Sequence, residues 1–506
     1  MDYINLINSL GFDADPFATT NADDEERLSE YFVAPPFFTA VMGTPESPKS
    51  SIVFAPRGGG KTALKRQLEI ASESKDFLCI TYNEFDVTNS KLKDIDEEYH
   101  LKNILEMLLT AVITAVHEKG IDLLTKNDRH LLYLMINAHL SKINKTTLKR
   151  NINSIKNFGD KAADMWNRFT GPIGLVLNHL LDKIGIGSVE VSEFKKIGGD
   201  VGSLKDQLVA LQEISTQLGY SSIYVLIDRV DETPITSTGD KAYTFISSII
   251  NDLHLLESKG FGYKFFLWDL LEKEYRSVAR PDRVKYYHLN WTNHQLKTVL
   301  KERLKAFSSG TVSSLKSISD WKGVMDIDDV IAIFAQGSPR TMVRICKEIL
   351  DQQSEIDASS SLISEAAIRA GFNKISESIS REVFSESVIK ELQRVHRCDF
   401  TIRYIYSDVF KFTQQAALNK VTVWETSGSA IQLGTIQETP GKKPSNHYGL
   451  GNILLAKYIF PELSIMDFVD KKIRICPNSN CERELVRDWD SRLQQSCNYC
   501  QASITI

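Results

Sequence analysis

Ser51-Ile-Val-Phe-Ala-Pro-Arg-Gly-Gly-Gly-Lys-Thr62 is the stretch on which the reading of this chain turns. A short apolar run ends at Ala55, a glycine cluster follows, and Lys61 and Thr62 lead into ALKRQLEIA, where Leu64, Leu68 and Ala71 recur at helical spacing. The expected order is therefore strand, loop, helix. Glycines let backbone N–H groups close around phosphate oxygens, and the N-terminus of the following helix adds its dipole. Lys61 would reach the β- and γ-phosphates of a bound nucleotide, and the Thr62 hydroxyl would ligate magnesium. The spacing is that of G-x-x-x-x-G-K-[ST], with Ala55 in place of the first glycine. The candidate cofactor-binding residues are Ala55, Arg57, Gly58, Gly59, Gly60, Lys61, Thr62 and Ala63.

A second stretch, Ser222-Ile-Tyr-Val-Leu-Ile-Asp228, is nearly all apolar and ends in an acid, with Arg229-Val-Asp231-Glu232 after it. Buried parallel strands read as continuous apolar runs, and ligand-binding residues gather at their C-terminal ends. Asp228 is then the carboxylate that holds magnesium with Thr62, and Glu232 or Asp231 would polarise an attacking water as general base. Upstream, Ser203 to Asp206 has the form of a helix start. Leu204, Leu208, Leu211, Ile214 and Leu218 make one face, and Gly219 ends it. Helix then strand is the repeating unit of a doubly wound α/β sheet.

Leu226-Ile-Asp-Arg-Val-Asp-Glu232 resembles the hhhhD-x-x-D-E element of STAND and NACHT-type signalling ATPases, a branch close to the AAA+ ATPases. The resemblance spans roughly residues 25 to 355 and implies a P-loop NTPase fold with a helical lid, ATP and Mg²⁺ as cofactors, and ATP hydrolysis. It also implies roles for further residues. Tyr263 to Trp268 would be the next strand, with Asp269 at a sensor 1 position. Arg280 or Arg283 would face a γ-phosphate, and Gly337-Ser-Pro-Arg340 resembles the sensor 2 of origin-recognition-like relatives, with Arg340 a catalytic candidate beside Lys61, Asp228, Asp231 and Glu232. Phe77 to Tyr82 fits a second strand, and Tyr31 to Phe38 concentrates aromatics that would line an adenine pocket or simply pack on the sheet edge.

Outside that core, Leu101 to Ile184 reads as a helical insertion with basic positions at Lys142, Lys145, Lys149, Arg150, Lys156 and Lys161. Beyond Phe384, helical segments precede Ala430 to Glu438, which alternates like a strand, turns at Thr439-Pro-Gly-Lys-Lys443 and resumes at His447. Helices followed by a basic hairpin resemble a winged helix. In the tail, Cys476 and Cys481 are separated by fifteen residues from the pair Cys497 and Cys500. Four thiolates at this spacing suit a structural, tetrahedral Zn²⁺ with no open position, as in a zinc ribbon. Cys79, Cys346 and Cys398 stand alone in apolar settings and read as core.

The expected organisation is 1–100, N-terminal segment and P-loop part of the ATPase core; 101–200, helical insertion; 201–290, the rest of that core; 291–375, helical lid; 376–470, winged-helix-like domain; and 471–506, zinc ribbon. Roughly 100 to 200 residues per domain is the usual scale for a chain of 506. Lys plus Arg number 60 against 65 for Asp plus Glu, a formal charge of -5, which excludes coating nucleic acid by global charge. No apolar run reaches about 18 residues, so no membrane partner is expected. Acids where a secretory signal would be basic, with few cysteines, fit a cytoplasmic protein. Two functions are in contention. One is an ATP-driven switch, homo-oligomeric, controlling a separate effector as bacterial antiviral-defence ATPases do; the other is an ATP-regulated DNA-binding protein that grips DNA with winged helix and ribbon.

Overall fold

The computed structural model describes residues 2–74, 76–87, 91–141, 143–158, 160–167, 202–437, 443–478, 481–489, 495–497 and 499–504. The chain divides into two units, Ala34–Leu289 and, separately, Met1–Val33 with Asn290–Ile506.

The Ala34–Leu289 unit is built on a parallel sheet of five strands: β1 (Ser51–Ala55), β2 (Phe77–Tyr82), β3 (Ser222–Ile227), β4 (Phe261–Trp268) and β5 (Lys285–His288). Their order across the sheet is β2-β3-β4-β1-β5. The first three strands are buried along their whole length, which is why they read as unbroken apolar runs rather than as alternation. Helices α1 (Lys61–Ser72), α2 (Glu97–Lys119), α3 (Lys145–Ser154), α4 (Leu204–Gln217) and α5 (Gly239–Ile250) accompany the sheet. As the sequence predicts, Ser203 caps α4 in a box with Asp206.

Helix α2 begins on Asp96, whose carboxylate accepts from Tyr99 N, with Glu97 and Glu98 in its first turn. From Ile104 to Val116 every residue is buried, Glu106, Thr110 and Thr114 included, so the helix is enclosed on all sides and belongs to a core. It shares that core with the strands, although it lies within the region read as an insertion. Residues 168–201 of that region, and Lys142, lie outside the described residues. The basic positions do not form one solvent stripe. Arg150, on α3, approaches the Glu106 carboxylate at 3.8 Å, and Lys156 lies 4.0 Å from that of Glu69.

The other unit is mainly helical up to its last third. Helix α6 (Asn293–Ala306) starts in a capping box made by Thr292 and Gln295. Its Arg303 is buried and bonds Pro16 O, Glu25 and the Tyr31 hydroxyl, tying residues 16–31 to the helix. Tyr31 is thereby spent on packing, whereas Phe37 stacks on Tyr287 in the sheet unit with ring centroids 5.1 Å apart. Helices α7 (Pro339–Asp357) and α8 (Glu365–Val383) lie together, and Gly371 makes this close approach feasible. A Cβ there would stand 2.9 Å from Ile349 Cα.

Next come α9 (Glu386–Val395), β6 (Asp399–Thr401), a π-helical turn over Tyr404–Val409, α10 (Gln414–Thr426), β7 (Ala430–Ile436) and β8 (Ser445–Leu450). The three strands form an antiparallel sheet in the order β6-β8-β7. Residues 438–442 of the turn between β7 and β8, Lys442 among them, lie outside the described residues. Two short antiparallel pairs close the chain: β9 (Ile473–Ile475) with β10 (Glu484–Val486), and β11 (Gln495–Ser496) with β12 (Ser503–Ile504). Among the described residues no helix is long and apolar enough to cross a membrane.

Candidate functional site

The C-terminal ends of β1, β4 and β3 lie side by side in that order; the glycine loop follows β1, Asp269 follows β4 and Asp228 follows β3. After β1 the chain makes the glycine loop. Gly60 has φ +95°, a left-handed conformation, and serves as the N-cap of α1 without offering a side chain. Gly59 is needed for a different reason: a Cβ there would lie 3.0 Å from Pro56 O and 3.2 Å from Ala55 Cβ. The latter contact shows that position 55 holds a small side chain at the inside of the loop, where the motif usually has glycine. Lys61 Nζ donates to the Ala55 and Pro56 carbonyls at 3.0 and 3.3 Å, so the amine curls back over the loop.

Thr62 and Asp228 are 166 residues apart, yet the Thr62 hydroxyl donates to Asp228 Oδ2 at 3.2 Å. Asp228 is buried, and its other oxygen accepts from Arg229 N at 2.9 Å. A hydroxyl and a buried carboxylate presented side by side are oxygen donors of the kind Mg²⁺ takes, so these two residues fit the metal that the sequence assigns to them. Asp269 follows β4, between the two. Burial pushes its carboxyl above the usual range, and the Lys61 charge acts in the opposite sense.

The neighbouring acids Asp231 and Glu232 differ sharply. Asp231 is buried and receives Arg57 Nε on Oδ2 at 2.9 Å, while Arg57 Nη2 donates to the Asp231 carbonyl at 3.1 Å. The same guanidinium lies over the Trp268 ring, 4.3 Å from its centroid. The Glu232 side chain is 58% exposed and approaches Arg229 no nearer than 3.8 Å. Sequence reasoning missed the Arg57–Asp231–Trp268 cluster. Its one local signal is a long cation inside a glycine loop that otherwise uses small residues.

Arg283 pairs bidentately with Glu257, and Arg280 lies 3.3 Å from Asp282; both pairs are on exposed surface. Arg340 sits in the first turn of α7, exposed, behind the Ser338 cap and Pro339. Ala63 is the third residue of α1.

A separate cluster lies in the other unit. The sulfurs of Cys476, Cys481, Cys497 and Cys500 all lie within 4.8 Å of one another, with Cys476–Cys500 at 3.4 Å and Cys481–Cys497 at 3.7 Å. A disulfide needs about 2.05 Å, whereas Zn–S bonds of about 2.3 Å in a tetrahedron put sulfurs about 3.8 Å apart. The four thiols therefore fit a metal better than they fit each other. The remaining thiols, Cys79, Cys346 and Cys398, are buried, and burial pushes each of them up, which makes them core residues as expected.

The chain matches no protein-family model and no curated protein. Among solved structures it is similar to the Orc1 protein of Aeropyrum pernix in complex with DNA, at 12% identity and a TM-score of 0.35, over 88% of this chain and 97% of that one.

Proposed function

We propose that this chain is an ATP-binding and ATP-hydrolysing switch of the STAND/AAA+ type, which assembles with copies of itself and controls a separate effector, in a setting such as antiviral defence. The observation that carries the reading is the approach of Thr62 to Asp228 at 3.2 Å beside the glycine loop and Lys61. ATP would lie on residues 55–62, and Thr62 and Asp228 would hold Mg²⁺, whose charge offsets that of the phosphates. Lys61 would turn its amine from the loop carbonyls to the β- and γ-phosphate oxygens. Glu232, exposed where Asp231 is engaged by Arg57, would take the proton of the attacking water. Arg340 is assigned to nucleotide sensing on its motif alone. Cys476, Cys481, Cys497 and Cys500 would hold Zn²⁺ as a structural ion.

Light scattering on wild type and Glu232→Gln, each with ATP, ADP or neither, tests this. Growth to a defined oligomer with ATP, retained in Glu232→Gln, supports the switch; a size indifferent to nucleotide in both removes it. A second reading, ATP-regulated DNA binding, is supported by the order helix, strand, two helical segments, hairpin over residues 386–450, which resembles that of a winged helix. Duplex binding with a steep salt slope would support it.

A further inference from the structure

The loop after β1 and the turn after β3 belong to strands that are not neighbours, because β4 lies between them. At about 4.8 Å per strand the gap is about 10 Å, a span that a long side chain must bridge. Arg57 bridges it. Its guanidinium lies over the ring of Trp268, the last residue of the intervening strand, and puts two N–H groups on Asp231 beyond. A ring contact and two N–H groups held on separate oxygens fix the orientation of the group, which an ammonium cannot reproduce.

We propose that Arg57 is a positioning residue for hydrolysis: it withdraws Asp231 from base chemistry and fixes the peptide that carries Glu232. The inference rests on the nucleotide reading above and goes beyond it. Nη2 donates to the Asp231 carbonyl at 3.1 Å. That oxygen belongs to the planar peptide joining Asp231 to Glu232, so holding it also holds the Glu232 amide. The Glu232 N–H is itself tied to Arg229 O at 3.1 Å. The carboxylate beside it is neutralised by Arg57 and is 6% exposed, against 58% for Glu232. Two adjacent acids thereby acquire different tasks through their surroundings, one as an anchor and one as a base.

The test is steady-state ATP turnover by the full chain carrying Arg57→Ala, Arg57→Lys, Asp231→Asn and Arg57→Ala with Asp231→Asn, and ATP binding by calorimetry with Lys61→Ala as reference. Arg57→Ala and Arg57→Lys both lower kcat by about tenfold or more, as expected of an interaction that acts on the chemical step, while KM for ATP stays within about threefold. Asp231→Asn keeps an acceptor oxygen on the side chain and the backbone carbonyl and loses less, and the double variant is no slower than Arg57→Ala, since without the guanidinium the change at Asp231 has no contact left to weaken. Failure of Arg57→Lys to restore the rate separates geometry from charge, and because it keeps the cation it serves as the test if Arg57→Ala melts early. A wild-type kcat in Arg57→Ala overturns the proposal. So does a raised KM with unchanged kcat, which would make Arg57 a phosphate ligand, and so does full rescue by lysine. Wild type that binds no more ATP than Lys61→Ala would instead remove the nucleotide reading and this proposal with it.

Discussion

Lys61 and Glu232 are expected to fail differently when changed. Lys61 is the cation proposed to turn from the loop carbonyls to phosphate, so Lys61→Ala should lose tight ATP binding, read by calorimetry. Glu232 is exposed and is the proposed base, so Glu232→Gln should bind ATP with near-normal affinity and lose turnover by about 10² or more, the usual scale for a general base. Normal turnover in Glu232→Gln would return the base assignment to Asp231. His100 gives a second prediction at this scale. Its Nε2–H donates to the Phe245 carbonyl at 2.8 Å, and the Tyr82 hydroxyl donates to Nδ1 at 2.9 Å, so the folded site wants the neutral ring. Burial pulls its pKa down from 6.5 to about 4. The unfolded chain therefore takes the proton first. His100's share of stability is complete above pH 6.5 and is lost as pH falls to about 4, a total of about 3 kcal/mol. Urea unfolding at pH 7 and pH 4 should show that extra loss in wild type relative to His100→Gln.

Among the elements, the pair α7 and α8 makes the sharpest claim. Gly371 has backbone, not a flexible side-chain tip, where its Cβ would go, 2.9 Å from Ile349 Cα. Gly371→Ala should therefore destabilise by about 1–3 kcal/mol despite the better helix propensity of alanine, and a melting curve of the variant decides it. Elements with one local cause were legible from sequence: the apolar runs of β1 to β3, and the cap at Ser203. Helix α2 was legible as a helix, but its place inside the core was not. Its burial depends on which strands and helices surround it, and no period within Glu97–Lys119 states that.

For the whole molecule, the cysteine cluster offers a separable test. It has its own small hydrophobic group of Cys476, Leu485, Cys497 and Ile504, too little apolar surface to fold such a segment alone. The zinc that these thiols fit would supply about 10–16 kcal/mol. Chelation should release about one zinc per chain and unfold the segment after about residue 473, while ATPase activity is largely retained because the glycine loop, Thr62, Asp228 and Glu232 lie in Ala34–Leu289 and the four cysteines do not. Metal analysis with proteolysis of the chelated protein checks this. Loss of ATPase activity in step with zinc would tie the two together.

The sequence by itself determined the glycine loop with Lys61 and Thr62, the acid after an apolar strand, and the four-cysteine spacing. Each of these is a contiguous pattern whose chemistry follows from neighbours along the chain. Only the tertiary structure decided that β4 separates the strands of the two motifs, that Arg57 spans the gap to Asp231 over Trp268, and that Glu232 is the acid left exposed. Those facts join residues 174 positions apart. Strand order depends on how the helices cover both faces of the sheet, which no local period encodes.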